Sequence, residues 1–278
     1  MKTLHIRKPR ALRRRSWPWI VAILALLAAV LLIFSTYLVT KSLGHDRTDE
    51  KTVEESNRFA YAGGAGPGHW PGVCATGRRQ SPIDLVKASA STTRMEPFNF
   101  TDHEHDCDFE PLNTGHSFEL MFSPTNNSCS SPVLLSGGGL EGAYVLEQVH
   151  FHWGATDDTG SEHAINGRKF ALELHFFYIK QGVPLDEALR QAEGAAVLGV
   201  LFVVASANEL LDQFLPSIPD LQQIKSAPEF RHKMKVADFL PKDHRQFFRY
   251  EGSLTTPACQ EAVVWTVFEQ PQGAIFRT

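Results

Sequence analysis

The sequence predicts an α+β fold, in which one domain is built on a large, mostly antiparallel, twisted central β-sheet with short peripheral helices. One N-terminal transmembrane helix is predicted to precede this domain. Two observations favour the sheet: several short segments alternate apolar and polar side chains, and the helical segments are few and short. The membrane helix is predicted from an apolar run near the N-terminus that contains no charged side chain.

The N-terminal region reads as a basic tail, 1–16, followed by the apolar run, 17–39. Crossing the hydrocarbon core of a bilayer takes about 20 apolar residues, whereas the apolar core of a signal peptide has about 7–15. Because the basic cluster precedes the run, the positive-inside rule keeps the N-terminus in the cytoplasm. We therefore expect a type II signal-anchor with an extracellular, lumenal or periplasmic domain. A long signal peptide whose cleavage leaves a secreted domain is the alternative.

A polar stalk, 40–58, connects this segment to the folded domain, 59–278. The seven basic residues before residue 40 leave 20 Lys and Arg against 31 Asp and Glu in the rest of the chain. Nucleic-acid binding needs basic surface, so an acidic domain argues against that function. Asn99 and Asn126 begin glycosylation sequons, which are usable only where exported chains are glycosylated.

Within the domain, four segments are predicted strands and two are predicted helices. The strands are Ser117–Phe122, Glu147–Trp153, Ala171–Ile179 and the continuous apolar run Ala196–Val204; the helices run from Pro184 to Ala192, before Gly194, and over Asn208–Leu215.

The segment around His150 and His152 predicts a metal site. Alternate residues of a strand share a face, so the two imidazoles point the same way from a mostly buried strand. Catalytic zinc takes three protein ligands and keeps one open position, and His175 in a following strand supplies a third candidate. Zinc-bound histidines hand their second N–H to an oxygen partner, a role that Gln148 and Glu173 can take.

Most of the twelve histidines are not expected to be ligands. His103 and His105 have the same spacing as the proposed pair. Their surroundings are polar on both faces, however, and predict an exposed loop.

Nine motifs, in this order along the chain, make it similar to alpha-class carbonic anhydrases from about residue 60 to about residue 270. They are Gly66–Trp70, Gln80–Asp84, Leu112–His116, His150–Gly154, Gly160–His163, Glu173–His175, Val197–Gly199, Tyr250–Pro257 and Val264–Trp265.

The resemblance implies that His150, His152 and His175 hold Zn²⁺, and that zinc-bound hydroxide attacks CO2 to give bicarbonate and a proton. The family is itself the reference case for a zinc-bound water whose pKa is about 7. By resemblance, Thr255 accepts the hydrogen bond of the hydroxide and donates its own proton to Glu162. The proton released by turnover would leave through a histidine shuttle.

The remaining site residues are also implied by the resemblance. His116 matches the proton shuttle, and His163 matches a buried structural imidazole paired with Tyr250. Sulfonamides and anions are expected inhibitors. The substrate-binding residues implied by the family are Phe177, Val197, Leu254, Thr255, Thr256 and Trp265.

Four cysteines lie beyond the apolar run, and an even number in an exported domain favours disulfides. The resemblance implies a bridge between Cys74 and Cys259, as in exported members of the family. Cys107 and Cys129 flank the turn at Gly115-His116 between two strands, and we predict a cross-strand pair.

The chain departs from the family pattern in three places. Phe177 stands where the family usually has Val. Thr114 and Glu119 replace amides that many fast members use to order water near the shuttle, which leaves the turnover rate open. A full family domain would continue for several tens of residues past Thr278. We therefore expect a domain truncated at its C-terminus, with poor solubility.

An active CO2 hydratase is favoured because all three ligand histidines are present. A catalytically silent ectodomain used for binding or adhesion, and a zinc esterase or other hydrolase, remain alternatives. The sequence leaves the oligomeric state open.

Overall fold

The computed structural model describes residues 59–122, 129, 131–204, 225–226 and 232–274. The predicted tail, apolar run and stalk, the predicted helix Asn208–Leu215, and Asn126 lie outside these residues. Within the described ranges, no helix has both the length and the apolar character needed to cross a membrane.

The described residues form fourteen strands, two short α-helices and several single turns of 3-10 helix. The strands are β1 (Asp84–Leu85), β2 (Phe98–Thr101), β3 (Asp106–Asn113), β4 (Phe118–Phe122), β5 (Leu134–Gly137), β6 (Tyr144–Trp153), β7 (Ala164–Ile165), β8 (Leu172–Lys180), β9 (Ala195–Val204), β10 (Lys225–Ser226), β11 (His232–Lys235), β12 (Phe247–Gly252), β13 (Val263–Phe268) and β14 (Gln272–Ala274). The α-helices are α1 (Val73–Thr76) and α2 (Leu185–Ala188). The 3-10 turns are Gly63–Ala65, Pro67–His69, Lys87–Ser89 and Val236–Phe239.

Twelve strands form one sheet, whose main path is β10-β3-β4-β6-β8-β9-β13-β12. Neighbours on this path are antiparallel except at β9, which pairs in parallel with β13 and, off the path, with β14. The sheet is therefore mixed: most of its pairings are antiparallel, as predicted, and the two parallel pairings of β9 depart from that expectation. Parallel pairing needs a long crossover rather than a tight turn, and more than fifty residues separate β9 from β13.

All four predicted strands are present, as β4, β6, β8 and β9, with bounds that shift by at most three residues. The helix predicted from Pro184 to Ala192 is wrong in length, because α2 ends at Ala188. Beyond α2 the chain continues in turns, with the Gln191 N–H bonded to the Ala188 carbonyl at 3.2 Å. Gly194 then packs directly against that carbonyl, so the chain has already turned back toward β9.

The two faces of the sheet carry different side chains. One face packs against the larger apolar core, which contains Phe109, Leu120, Val149 and Phe176. The opposite face carries the predicted metal ligands and a smaller apolar cluster around Val197 and Trp265. Strand β8 is buried from Leu172 to Ile179 and separates the two cores.

The segment that contains His103 is a loop between β2 and β3, as predicted, but His103 itself is not exposed. The His103 side chain is 1% exposed, and its two ring nitrogens lie 3.0 Å from the Thr101 carbonyl and 2.8 Å from the Tyr178 hydroxyl. Only the second histidine of the pair, His105, is exposed, at 60% of its side chain. Tyr178 is 75 residues away in sequence, so the local polar pattern gave no sign of this partner.

Both predicted disulfides are present. Cys74 in α1 is bonded to Cys259 in the loop after β12, and Cys107 in β3 is bonded to Cys129. Cys129 lies between β4 and β5 rather than on a strand, so the second bridge is not the cross-strand pair that was predicted.

Candidate metal centre

Strands β6 and β8 bring the three predicted ligands together. In their antiparallel register His150 lies opposite His175, and His152 lies opposite Glu173. Residues directly opposite each other share a face of the sheet, so all four side chains project from the same face. One nitrogen from each of the three histidines lies within 4.8 Å of the other two.

Hydrogen bonds fix which nitrogens of His150 and His175 remain free. His150 donates its Nδ1–H to Gln148 Oε1 at 2.8 Å, and His175 donates its Nε2–H to Glu173 Oε1 at 2.7 Å. The other nitrogens, His150 Nε2 and His175 Nδ1, therefore carry lone pairs, and they face each other at 3.1 Å.

Two lone pairs at this distance repel each other unless a cation lies between them. In a tetrahedral site with Zn–N distances of about 2.0–2.1 Å, neighbouring nitrogens are about 3.3 Å apart. The separation of the two free nitrogens is close to that value, and the donor set suits zinc.

His152 supplies a third nitrogen in need of a partner. Its Nδ1 lies 3.4 Å from Glu162 Oε1, while its buried Nε2 has no hydrogen-bond partner among the described residues. A buried polar atom without a partner costs free energy, and a metal ion would remove that cost.

Glu173 is the hub of the hydrogen bonds behind the ligands. Besides His175, its Oε1 accepts a bond from His163 Nδ1 at 2.6 Å, and its Oε2 accepts the backbone N–H groups of Glu162 and His163. The chain of contacts continues from His163 Nε2 to the Tyr250 hydroxyl at 2.7 Å. This network orients the His175 ring and joins it to β12.

The pKa values of the buried groups follow from their surroundings. Burial and the neighbouring imidazoles lower the pKa of His150 and His152 well below the usual range, and burial lowers that of His175 in spite of Glu173. Burial alone would raise the pKa of Glu173, but His163 and His175 outweigh it and hold that pKa well below the usual range. The histidines are therefore neutral and able to bind a metal, while the carboxylate behind them is ionised.

Glu162 and Thr255 lie beside the three histidines. Burial and the charge of Glu173 raise the pKa of Glu162 to about 8, and a hydrogen bond from the Thr255 side chain opposes this shift. Thr255 is itself buried.

An apolar wall adjoins the ligands. Phe177, Val197 and Trp265 are buried in one cluster, with Leu254 packed against it. The Trp265 ring lies 4.7 Å from the His175 ring, measured between centroids. Thr256 is half-buried in the same loop as Leu254.

His116 lies in the turn between β3 and β4, partly buried. The Phe59 ring stacks on its imidazole with the centroids 3.9 Å apart. The sequence reasoning missed this contact, because nothing in the sequence relates Phe59 to a residue 57 positions further on. Nearby, Ser117 Oγ donates to Glu119 Oε1 at 3.1 Å, and Glu119 lies opposite His150 in the register.

Ser81 was also missed as a site residue. Its hydroxyl lies 2.8 Å from the Tyr250 hydroxyl and so extends the chain of contacts that begins at His175. The motif Gln80–Asp84 was a usable signal, although its place beside the site could not be read from spacing.

A set of three histidines that could hold one metal ion, with a carboxylate behind it and an apolar wall beside it, is typical of metalloenzymes. A family model for eukaryotic-type carbonic anhydrases matches residues 65–275. The chain therefore belongs to the alpha-class carbonic anhydrases, a family of enzymes that hydrate CO2.

Two curated relatives agree with this assignment. A protein named putative carbonic anhydrase 5 from Caenorhabditis elegans is 34% identical over 77% of this chain and 69% of its own length. Carbonic anhydrase 4 from Rattus norvegicus is 33% identical over 74% of this chain and 66% of its own length.

Proposed function

We propose that this chain catalyses the reversible, zinc-dependent hydration of CO2 to bicarbonate and a proton. The observation that carries the proposal is the pair of lone-pair nitrogens, His150 Nε2 and His175 Nδ1, which face each other at 3.1 Å. Beside them lies His152 Nε2, which has no hydrogen-bond partner in the part of the chain that the structure describes.

His150, His152 and His175 would hold the ion, with Gln148 and Glu173 fixing the rings of two of them. Zinc held by three histidines lowers the pKa of bound water to about 7 and so supplies hydroxide at neutral pH, as established for this family.

Thr255 and Glu162 would orient the nucleophile. Because the Thr255 hydroxyl donates a hydrogen bond to the Glu162 carboxylate, the Thr255 oxygen is left as an acceptor. It therefore favours one orientation of the attacking O–H group. Glu162 must be ionised for this role, and the charge of a bound cation would lower the pKa that burial raises to about 8.

CO2 has no net dipole, so an apolar surface beside the nucleophile suits it better than hydrogen-bond donors. Phe177, Val197, Leu254 and Trp265 form such a surface next to His175. His116 would carry the released proton to solvent, since imidazoles exchange protons near neutral pH, and the Phe59 ring packs against one face of its imidazole.

Stopped-flow CO2 hydration by the purified protein tests the proposal. We expect activity that a chelator removes, that added zinc restores and that a sulfonamide inhibits. His150→Ala should lose zinc and activity together, whereas His105→Ala, at an exposed histidine, should keep both. Folded, zinc-loaded protein without CO2 hydration would overturn the proposal in favour of the silent ectodomain, or of a hydrolase if it cleaves an activated ester.

We also propose that the domain works outside the cytosol, held by residues 17–39 as a type II anchor and glycosylated at Asn99. Two disulfides are typical of oxidising compartments, and Asn99 is exposed on β2. Carbonate extraction of membranes from expressing eukaryotic cells should leave the chain in the pellet, and glycosidase treatment should increase its mobility. Recovery of the protein only from the medium would support the cleaved-signal alternative.

A further inference from the structure

We propose that Glu261 is a positioning residue that holds Thr255 over the metal centre by clamping its loop to residues 78–81. We call the contacts between Glu261 and residues 78–80 the Glu261 clamp. The proposal rests on the function above, because it assigns a cause for the placement of Thr255.

The first end of the Thr255 loop is held by a reciprocal pair of hydrogen bonds. The Ser81 N–H donates to Ser253 Oγ at 2.9 Å, and the Ser253 N–H donates to Ser81 Oγ at 3.0 Å. The Trp265 indole N–H also donates to the Ser253 carbonyl, at 3.0 Å. Ser253 is therefore fixed two residues before Thr255.

The second end of the loop is held by the Glu261 clamp. Glu261 Oε1 accepts bonds from the backbone N–H groups of Arg78 at 2.5 Å and Arg79 at 2.7 Å, and from Gln80 Nε2 at 3.0 Å. Gln80 Nε2 also reaches the Cys259 carbonyl at 3.2 Å. Four consecutive residues, 78–81, thus contact both ends of the loop.

The loop also closes on itself between its two ends. The Leu254 N–H donates to the Gln260 carbonyl at 3.0 Å, and the Cys259 N–H donates to the Thr256 carbonyl at 2.9 Å. A shift at Glu261 would therefore be transmitted to Thr255 rather than absorbed by a slack loop.

Gly77 provides an independent sign that the carboxylate is built into its place. A Cβ on Gly77 would lie 2.3 Å from Gln80 Nε2 and 2.4 Å from Glu261 Oε1, closer than its next contact, the Val73 carbonyl at 2.8 Å. The backbone φ of Gly77 is −62°, which any residue adopts, so only lack of space explains a glycine here. The Arg79 and Gln80 bonds also lower the pKa of Glu261, which keeps it ionised as an acceptor.

A double-mutant cycle with Thr255→Ala tests the clamp. We expect Glu261→Ala to lower kcat/KM for CO2 hydration about tenfold with zinc content unchanged, and Gly77→Ala to act in the same direction. Glu261→Gln, which keeps one acceptor oxygen, should retain more activity. Glu251→Gln is the matched control, because Glu251 pairs with Arg79 at 2.6 Å outside the clamp.

In the Thr255→Ala background, Glu261→Ala should change kcat/KM less than twofold, since the group it positions is gone. An equal loss in both backgrounds would overturn the proposal. Hydrogen exchange supplies a readout that needs no activity: the amides of residues 254–256 and 258–260 should exchange faster in Glu261→Ala and Gly77→Ala than in wild type and Glu251→Gln. Unchanged exchange would also overturn the proposal, even if the wild type proved inactive toward CO2.

Discussion

At the scale of single residues, Glu173 shows how one side chain orients a ligand of the candidate metal centre. One buried carboxylate accepts four hydrogen bonds, two from imidazoles and two from backbone N–H groups. These bonds keep it ionised in an apolar setting and force His175 into the tautomer whose Nδ1 is free. Removing such a partner of a ligand histidine commonly lowers metal affinity 10- to 100-fold.

His103 is a second residue whose burial has a measurable consequence. Burial lowers its pKa from 6.5 to about 4, so between these pH values the unfolded chain binds a proton that the folded protein does not. The free energy of unfolding therefore contains a contribution from neutral, buried His103. This contribution is fully present above about pH 6.5, is lost as the pH falls toward 4, and amounts to about 3 kcal/mol.

We expect His103→Gln to flatten the fall of the unfolding free energy between pH 7 and pH 4.5. Denaturant unfolding at several pH values measures this, with His105→Gln as the control, because that side chain is 60% exposed. Parallel pH profiles for wild type and His103→Gln would contradict the assignment.

The contacts of a side chain could be predicted from the sequence where its partner lies nearby in the chain. Gln148 lies two positions before His150 on the same strand, so its hydrogen bond follows from the strand period. The exposure predicted for His103 is wrong because its partner Tyr178 comes from a strand that is distant in sequence. The contacts of Ser81, Phe59 and Glu261 arise only from tertiary packing. The periodicity of apolar residues and the composition of the chain carry no information about such contacts.

At the scale of elements, the register of β8 against β6 and against β9 creates the site. His175 lies opposite His150 on one side and opposite Gly199 on the other. The absence of a side chain at Gly199 leaves room for the Glu173 carboxylate, since a Cβ there would lie 3.1 Å from Glu173 Oε1 and 3.3 Å from Val267 Cγ2.

Gly199→Ala should therefore disturb both packing and metal binding. Glu173 cannot retreat without breaking hydrogen bonds, and overpacking of this kind costs about 1–3 kcal/mol. We expect a lower unfolding free energy and a zinc affinity about tenfold weaker, measured by denaturant unfolding and by competition with a chelator. Gly64→Ala is the control, because nothing lies within 4 Å of a Cβ at that position. Unaltered zinc affinity in Gly199→Ala would count against Gly199 as the space for Glu173.

The elements themselves were largely predictable, and their pairing was not. Alternation and apolar runs identified β4, β6, β8 and β9, because these segments are long and face distinct environments. The parallel pairing of β9 with β13 depends on how the intervening chain crosses over, which no periodicity encodes. The helix after Pro184 stopped early because the chain had to turn at Gly194.

For the molecule as a whole, the connections between distant parts of the chain matter most around Thr255. Residues 78–81, near the beginning of the domain, hold both ends of the loop that contains Thr255. The bridge between Cys74 and Cys259 joins the same two regions covalently. The position of the Thr255 side chain therefore depends on the whole domain being folded.

The two disulfides should differ in their contribution to stability. Cys74 and Cys259 are 185 residues apart, whereas Cys107 and Cys129 are separated by 22. A cross-link that closes a longer loop removes more entropy from the unfolded chain, which gives about 5 kcal/mol for the first bridge and about 3 kcal/mol for the second. We expect Cys74→Ser/Cys259→Ser to unfold at a lower denaturant concentration than Cys107→Ser/Cys129→Ser. It should also lose more CO2 hydration activity, because Cys259 belongs to the Thr255 loop.

Equal unfolding midpoints for the two double variants would contradict the loop-length argument. Equal loss of activity would mean that the first bridge does not act through that loop.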